Sequence, residues 1–420
     1  MSSVPVNSKP NQSKTQSNIG PTEFIILMAI LMSVMALAID AMLPALDLIG
    51  LSLGVENPND NQLIISTLFL GMALGLMIYG PISDSYGRKV TIYLGVAIFL
   101  VGDLISLLSD DFTLMIIGRL LQGFGAAACR VITVAMIRDR FDGPKMAKVM
   151  SLIMMVFIMV PVLAPSIGQA ILLFASWRVI FLLLLAYALI GAIWLHLRQP
   201  ETLAIENRLP FSLSVIIQGI SETLKHPQSR TYTISAGIMF GSFVGYLSSS
   251  QQILQIQYEL GSTFSLYFGF LALAIGIASF ANSKLVMLVS MEKLCLMALC
   301  TITLLSLLFF FYAKSYEGHP PLVALMSYLS LSFFCMGILF GNFNTLALHP
   351  LGHIAGVATS VISTLQTLLS VAVGYVVGQA YDGSVLPLVE GFLGCSALTL
   401  LLMAYVLRLN KYPLALSPKP

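Results

Sequence analysis

Charge is scarce in this sequence. Of its 420 residues only 10% are Asp, Glu, Lys or Arg, against roughly 25% in a soluble globular domain. Hydrophobic residues make up 57%, and the mean hydropathy is +0.91. A water-soluble chain of this length has no interior large enough to hide so much apolar surface, so lipid is the expected solvent for most of it. The net charge of +2 comes with no basic face or stripe, which argues against nucleic acid as a partner. Cysteine is sparse as well. Cys129, Cys295, Cys300, Cys335 and Cys395 all lie in apolar stretches, none in a metal-like pair, and read as small buried hydrophobes. There is no Gly-x4-Gly-Lys-Ser/Thr loop, so direct drive by ATP is unsupported. His349 and His353 have i,i+4 spacing, but Pro350 and Gly352 between them spoil a helical metal face; His196, His226 and His319 fall at span ends or in loops. No metal site and no cofactor is expected, and the chain is not expected to be an enzyme.

What the sequence does contain is long apolar runs. A helix needs about 20 residues to cross roughly 30 Å of hydrocarbon at 1.5 Å per residue. Twelve runs meet that length, near residues 24–51, 61–83, 90–109, 113–137, 149–174, 178–197, 231–257, 264–284, 293–313, 321–347, 356–380 and 387–408. The first is too long for the core of a signal peptide, and the polar stretch before it lacks the charged-then-apolar layout of one. With the N-terminus inside, 17 of the 21 Lys and Arg residues fall in inside loops and tails; Arg178 and Lys314 fall outside, and Arg119 and Arg130 inside the fourth span. That bias obeys the positive-inside rule at nearly every loop, and it puts both termini in the cytoplasm. The longest connection, Arg198 to Arg230, separates two sets of six spans, and Phe211 to Leu224 within it reads as a short interfacial helix. The expected organisation is a cytoplasmic disordered tail (1–22), a six-helix half (23–197), a central cytoplasmic loop (198–230), a second six-helix half (231–408) and a cytoplasmic tail (409–420).

Four local patterns carry chemistry. Between the second and third spans stands Tyr79-Gly80-Pro81-Ile82-Ser83-Asp84-Ser85-Tyr86-Gly87-Arg88-Lys89. Gly80 allows close helix approach and Gly87 a tight turn, while Asp84 suits a helix N-terminus or a basic partner such as Arg138. In the fourth span, Arg119-Leu120-Leu121-Gln122-Gly123-Phe124-Gly125-Ala126-Ala127 places a guanidinium among small packing residues. A buried Arg costs several kcal/mol unless paired or hydrated, which marks it as a functional candidate. Arg130 follows eleven residues later, a 20° offset that leaves both on one face roughly 16 Å apart. Two readings stand for Arg130, a functional charge or a structural one tied to helix carbonyls. The first span holds Asp40-Ala41-Met42-Leu43-Pro44-Ala45, and the fifth Pro161-Val162-Leu163-Ala164-Pro165-Ser166-Ile167-Gly168, whose two prolines allow bending.

These motifs resemble the major facilitator superfamily, and within it drug:proton antiporters of the bicyclomycin/chloramphenicol-resistance group. Gly80, Asp84, Gly87, Arg88 and Lys89 fill the family's loop motif, although Ser85 stands where a basic residue is common. The resemblance implies a conformational latch there, with Arg138 as its partner. Arg119, Gln122, Gly123 and Gly125 fill a pattern of proton-linked members. Asp40 and Pro44 fit the first-span motif. Pro161, Pro165 and Gly168 resemble the antiporter motif, with Ala164 and Gln169 in place of two glycines. The implied fold is an all-α membrane protein with twelve transmembrane helices in two six-helix halves. Asp40 is expected to exchange the proton, with Asp103, at a similar depth, competing for the same partner. Burial favours a neutral acid and a neighbouring guanidinium favours a charged one, so Arg119 tunes the exchange. The second half has no deeply placed ionisable residue. Its neutral polar groups, Tyr246, Gln251, Gln255, Asn342 and Gln366 among them, are candidates to line an adaptable apolar cavity or to hydrogen-bond between helices.

The expected function is proton-coupled export of small apolar or amphipathic compounds by alternating access, from the inner membrane of a bacterium, by a monomer whose partners are protons, a small-molecule substrate and the lipid bilayer. The alternatives are export of an endogenous metabolite, siderophore or amino-acid derivative and, from other classes, a passive facilitator or a membrane-embedded enzyme.

Overall fold

The computed structural model describes residues 19–411; residues 1–18 and 412–420, most of the two expected tails, lie outside the described residues. Among the described residues the regular structure is entirely helical. In order these are α1 (Pro21–Asp40), α2 (Leu46–Ser52), α3 (Leu63–Tyr86), α4 (Arg88–Leu108), α5 (Phe112–Arg140), α6 (Gly143–Leu172), α7 (Arg178–Arg198), α8 (Leu213–Lys225), α9 (Pro227–Ser250), α10 (Phe264–Leu285), α11 (Met291–Ser315), α12 (Leu322–Leu348), α13 (Ala355–Gln379) and α14 (Leu386–Lys411). Twelve of these fourteen have 20 residues or more. Ten stretches are long and apolar enough to cross a membrane; one of them, Leu322–Gln379, holds both α12 and α13, joined by the 3-10 turn His349–Ile354. The remaining long helix, α9, is interrupted by Ser, Thr and Gly and falls below that apolarity. Burial along nearly its whole length keeps those polar groups out of lipid.

Helix boundaries follow from local chemistry. Pro44 has no N–H and its ring clashes with the carbonyl four residues back, so α1 stops at Asp40 and a 3-10 turn (Leu43–Ala45) leads into α2. The first span is therefore broken at its acid and not continuous. Gly87, at φ +102°, separates α3 from α4 in a conformation that side chains resist. The Asp111 carboxylate accepts the Leu114 N–H at 3.1 Å and caps α5. Past Ser250 the seventh span widens into a π-helix, Gln251–Gln257.

The long helices pack as two groups. In the first, α3 and α4 lie on α5, and α1 lies on α5, α6 and α7. In the second, α9 lies on α12, α13 and α14, with α10 and α11 on α12. The groups meet along α3 with α13 and α6 with α10, the second long helix of each against the fifth of the other. That exchange is the pattern of internally repeated transporters. The segment between the groups is held at both ends. Leu209 N–H donates to the Asp84 carbonyl at 3.0 Å, while α8 packs on α13 and its Glu222 pairs with His353.

Candidate functional site

Between the two groups lies a cavity of about 320 Å³, at the lower end of small-molecule pockets. Its walls are largely apolar, with eight aromatic side chains among them. Phe240 of α9 meets Phe69 of α3 at 6.0 Å and Phe340 of α12 at 5.4 Å, so one ring cluster spans both groups. Tyr246 packs on Phe333 at 4.8 Å, and its hydroxyl has no hydrogen-bond partner among the described residues. Two charged side chains face this apolar space, Asp40 and Arg130. Asp40 is 4% exposed, with no hydrogen bond or ion pair recorded among the described residues. Arg130 touches Met72 Sδ at 4.0 Å through Nη1 and makes no ion pair among the described residues. A charge left this way in apolar surroundings is held at a cost of several kcal/mol, which binding or proton exchange can repay.

The two proline-marked motifs meet beside Asp40. A methyl group built on Gly168 would collide with the Ala41 carbonyl oxygen, one residue past the end of α1, and would crowd Pro44. Glycine there lets α6 close over the broken end of α1. Pro161 and Phe157, four residues apart on α6, face the cavity. The ring at Pro161 removes the hydrogen bond that Phe157 would otherwise accept and gives α6 a place to bend.

Arg119 stands apart from the cavity and is fully buried. Its Nε donates to the Ile64 carbonyl at 3.0 Å and its Nη2 to the Ala38 carbonyl at 2.9 Å. Nη1 donates to Gln122 Oε1, and Gln122 Nε2 donates to Asp103 Oδ1 at 2.6 Å. The guanidinium and the Asp103 carboxylate are thus joined through an amide, and Asp103 Oδ2 has no partner among the described residues. The expected side-chain pair of Asp40 and Arg119 does not form. Arg119 instead grips the backbone two residues before Asp40, because a helix that breaks at Pro44 leaves carbonyls to be satisfied. A side chain at Gly123 would strike the Leu68 carbonyl, so the motif's small residues bring α5 against α3.

The loop motif forms a charge cluster. Arg88 is buried; its Nη1 donates to Asp84 Oδ1 and to Ser83 Oγ at 2.7 Å, and its Nε donates to Asp139 Oδ2 at 2.8 Å. The expected partner of Asp84, Arg138, is exposed and makes no ion pair among the described residues; the side chain of Asp139 beside it, turned by about 100° of helix, is only 15% exposed and meets Arg88. Glu201, from the segment after α7, accepts the backbone N–H groups of Arg88 and Lys89, both at 3.0 Å. A carboxylate thus caps the N-terminus of α4. Gly87 makes room for it, since a methyl there would meet Glu201 Oε2 at 2.8 Å. Lys89 Nζ reaches the His196 carbonyl at 3.3 Å, and Gly80 faces Ser360 of α13.

Of the neutral residues expected around a cavity, Tyr246 and Gln366 line it. Asn342 does not; it exchanges hydrogen bonds with Asn282 of α10, donating at 2.9 Å. Asn344, two residues on, faces the space instead. Gln251 and Gln255 lie in the π-helix away from the cavity. Their neighbour Gln252 belongs to an amide network that seals one end of the bundle across both groups. Gln62 Nε2 donates to Gln252 Oε1 at 2.7 Å and to the Gly378 carbonyl at 3.0 Å. Asn59 Nδ2 donates to the carbonyls of Gln379 (3.2 Å) and Tyr381 (2.9 Å), and Gln252 Nε2 donates to Asn59 Oδ1 at 2.8 Å. Sequence reading missed this network and Glu201 as a helix cap. Asn59 in a loop looks like an ordinary solvated residue, and Gln62 and Gln252 like polar residues at span ends, until their partners, some 190 to 320 residues away, are known.

A multi-pass bundle of two groups, with a charge-bearing cavity between them and a seal across one end, is the architecture of a membrane transporter. The chain belongs to the Major Facilitator Superfamily, whose sequence model matches residues 26–375. The uncharacterized MFS-type transporter YdgK of Bacillus subtilis is 30% identical over 320 residues, 76% of this chain and 79% of that one. A bicyclomycin resistance protein homolog of Haemophilus influenzae is 28% identical over 387 residues, covering 90% and 94%. The fold is shared with the xylose transporter XylE from E. coli in a partially occluded inward-open conformation, with a TM-score of 0.71 at 11% identity over 95% of this chain and 99% of that one.

Proposed function

We propose that this transporter exports small, mostly apolar or amphipathic compounds in exchange for protons, by alternating access of its two six-helix halves. The observation that carries the reading is Asp40, a carboxyl group without a partner among the described residues in the wall of an apolar cavity between the halves. Such a group can hold a proton in one state and give it up when a ligand arrives, which is the competition antiport needs. Similarity to a bicyclomycin resistance protein homolog supports export of drug-like compounds. Arg119, Gln122 and Asp103 act on Asp40 through the Ala38 carbonyl and brace the helix break where the proton is exchanged. The Gly80–Lys89 cluster, with Asp139 and Glu201, is the latch that holds the cytoplasmic ends together. By loop charge, both termini face the cytoplasm of a bacterial inner membrane and the amide network lies on the outer face. The protein acts as a monomer.

The test uses inside-out vesicles and a panel of apolar and amphipathic compounds, with proton release read on compound addition. Wild type is expected to release protons and to accumulate compound against its gradient. Asp40→Asn is expected to lose uphill transport while still equilibrating compound. Uphill transport by Asp40→Asn under the same pH gradient refutes the proposed role.

A further inference from the structure

Arg130 is the second charge in the cavity, and proton exchange at Asp40 does not call on it. The cavity wall carries one anion, Asp40, and one cation, Arg130, among aromatic and aliphatic side chains. A ligand bearing a single charge leaves one of them facing apolar surroundings uncompensated. A purely anionic ligand has a further consequence under antiport. Its charge on Arg130 would favour the protonated form of Asp40, so ligand and proton would bind together and not in exchange. A cationic group beside Asp40 competes with the proton as antiport requires, and an anionic group satisfies Arg130. Only a ligand with both leaves the occupied cavity without an unmatched charge.

We propose that Arg130 is a recognition residue for an anionic group, and that the ligand class of this cavity is a zwitterion with an apolar body: an ammonium toward Asp40, a carboxylate toward Arg130, and a ring or chain between them against Phe240 and Tyr246. The inference rests on the antiport reading for the competition at Asp40. The two charges are set apart along the cavity. Asp40 stands 19 residues from the first residue of α1, roughly 28 Å along its axis, and Arg130 stands ten residues from the end of α5, roughly 15 Å. These two helix ends lie side by side, because Arg140 donates to the Ile19 carbonyl at 2.9 Å and stacks on Phe24. The backbone offset is therefore roughly 13 Å. The Arg130 side chain leans toward its own helix N-terminus, which is the Asp40 side, and so narrows that gap without closing it. The ammonium and carboxylate thus belong at opposite ends of the ligand and not on one carbon.

The experiment titrates the purified full-length protein calorimetrically with three probes of one skeleton: 4-(aminomethyl)phenylacetic acid, its methyl ester and its N-acetyl derivative. Buffers of different ionisation enthalpy report the protons released. Wild type is expected to bind the zwitterion roughly tenfold or more tightly than either singly charged analogue. Arg130→Gln is expected to lose the preference over the ester, and Arg130→Lys, which keeps the charge and controls for folding, to retain it. Equal binding of the zwitterion and the ester by wild type, a preference that survives in Arg130→Gln, or no binding of the zwitterion overturns the inference. Proton release separates its failure from that of antiport. Release on ester binding without a zwitterion preference leaves antiport standing and removes the inference. A zwitterion preference with no proton released by any probe supports the ligand class and removes antiport.

Discussion

Replacing Gln62 by Ala removes two hydrogen bonds from the amide seal, to Gln252 Oε1 at 2.7 Å and to the Gly378 carbonyl at 3.0 Å. Both join the first half of the bundle to the second, and both exist only while that end is closed. Each is worth about 0.5–1.5 kcal/mol net, so the closed state loses about 1–3 kcal/mol relative to the open one. At 1.4 kcal/mol per factor of ten, the open population rises roughly 5- to 150-fold. Gln252 keeps its bond to Asn59 at 2.8 Å, which places the effect toward the lower end of that range. The assay is a distance measurement by double electron–electron resonance between spin labels at Glu56 and Asp382, exposed positions on the two sides of the seal. A longer-distance population is expected to grow in Gln62→Ala. Distance distributions that coincide with those of the parent would show that these bonds do not hold the closed state, and the reasoning would fail.

Substitutions at three further sites test the remaining geometry. Asp139→Asn leaves buried Arg88 with the half-exposed Asp84 as its one carboxylate and is expected to cost about 1–3 kcal/mol, a fraction of the ~3–5 kcal/mol for breaking a fully buried pair; Arg138→Gln, at an exposed position, is expected to stay within about 0.5 kcal/mol, and thermal-shift midpoints of both in detergent check the contrast. Gly168→Ala forces α6 away from the Ala41 carbonyl, at an expected ~1–3 kcal/mol of overpacking, read as a lowered midpoint together with slower transport. Asn342→Leu strands Asn282 and is expected to cost about 1 kcal/mol, whereas the double change Asn282→Leu/Asn342→Leu recovers most of it; probe affinity stays constant in both, because neither residue faces the cavity.

Much of the architecture could be read before any coordinates. Apolar run length is a one-dimensional property, and lipid makes it decisive, since a spanning segment must satisfy its own backbone. The short break between the third and fourth spans falls at Ser109–Asp111, where the chain leaves α4 and Asp111 caps α5. The interfacial helix expected at 211–224 corresponds to α8, Leu213–Lys225. Prolines and glycines were legible for the same local reason, because Pro44 acts on a carbonyl four residues away and Gly87 on its own φ.

Partners were not legible. Arg119 and Asp40 stand at depths that permit contact, yet the guanidinium turns to Ala38 and Ile64 carbonyls, and through Gln122 to Asp103. Asp84 finds its basic partner four residues on, in Arg88 of its own motif, and Arg88 takes its second carboxylate from Asp139 on α5, so Arg138 one residue away stays out of the cluster; only packing says which residue of that helix end meets the loop. Asn342 and Asn344 differ in the same way, one tied to α10 and the other turned to the cavity. The sequence alone determined that this chain lives in lipid, in how many crossings, and which residues were too costly to bury without purpose. Tertiary structure decided which of those costly residues share one cavity, Asp40 and Arg130, and which are satisfied away from it, Arg119 and Asp103. The physical reason is that desolvation cost belongs to a residue by itself, whereas its compensation depends on what other helices bring within about 3 Å.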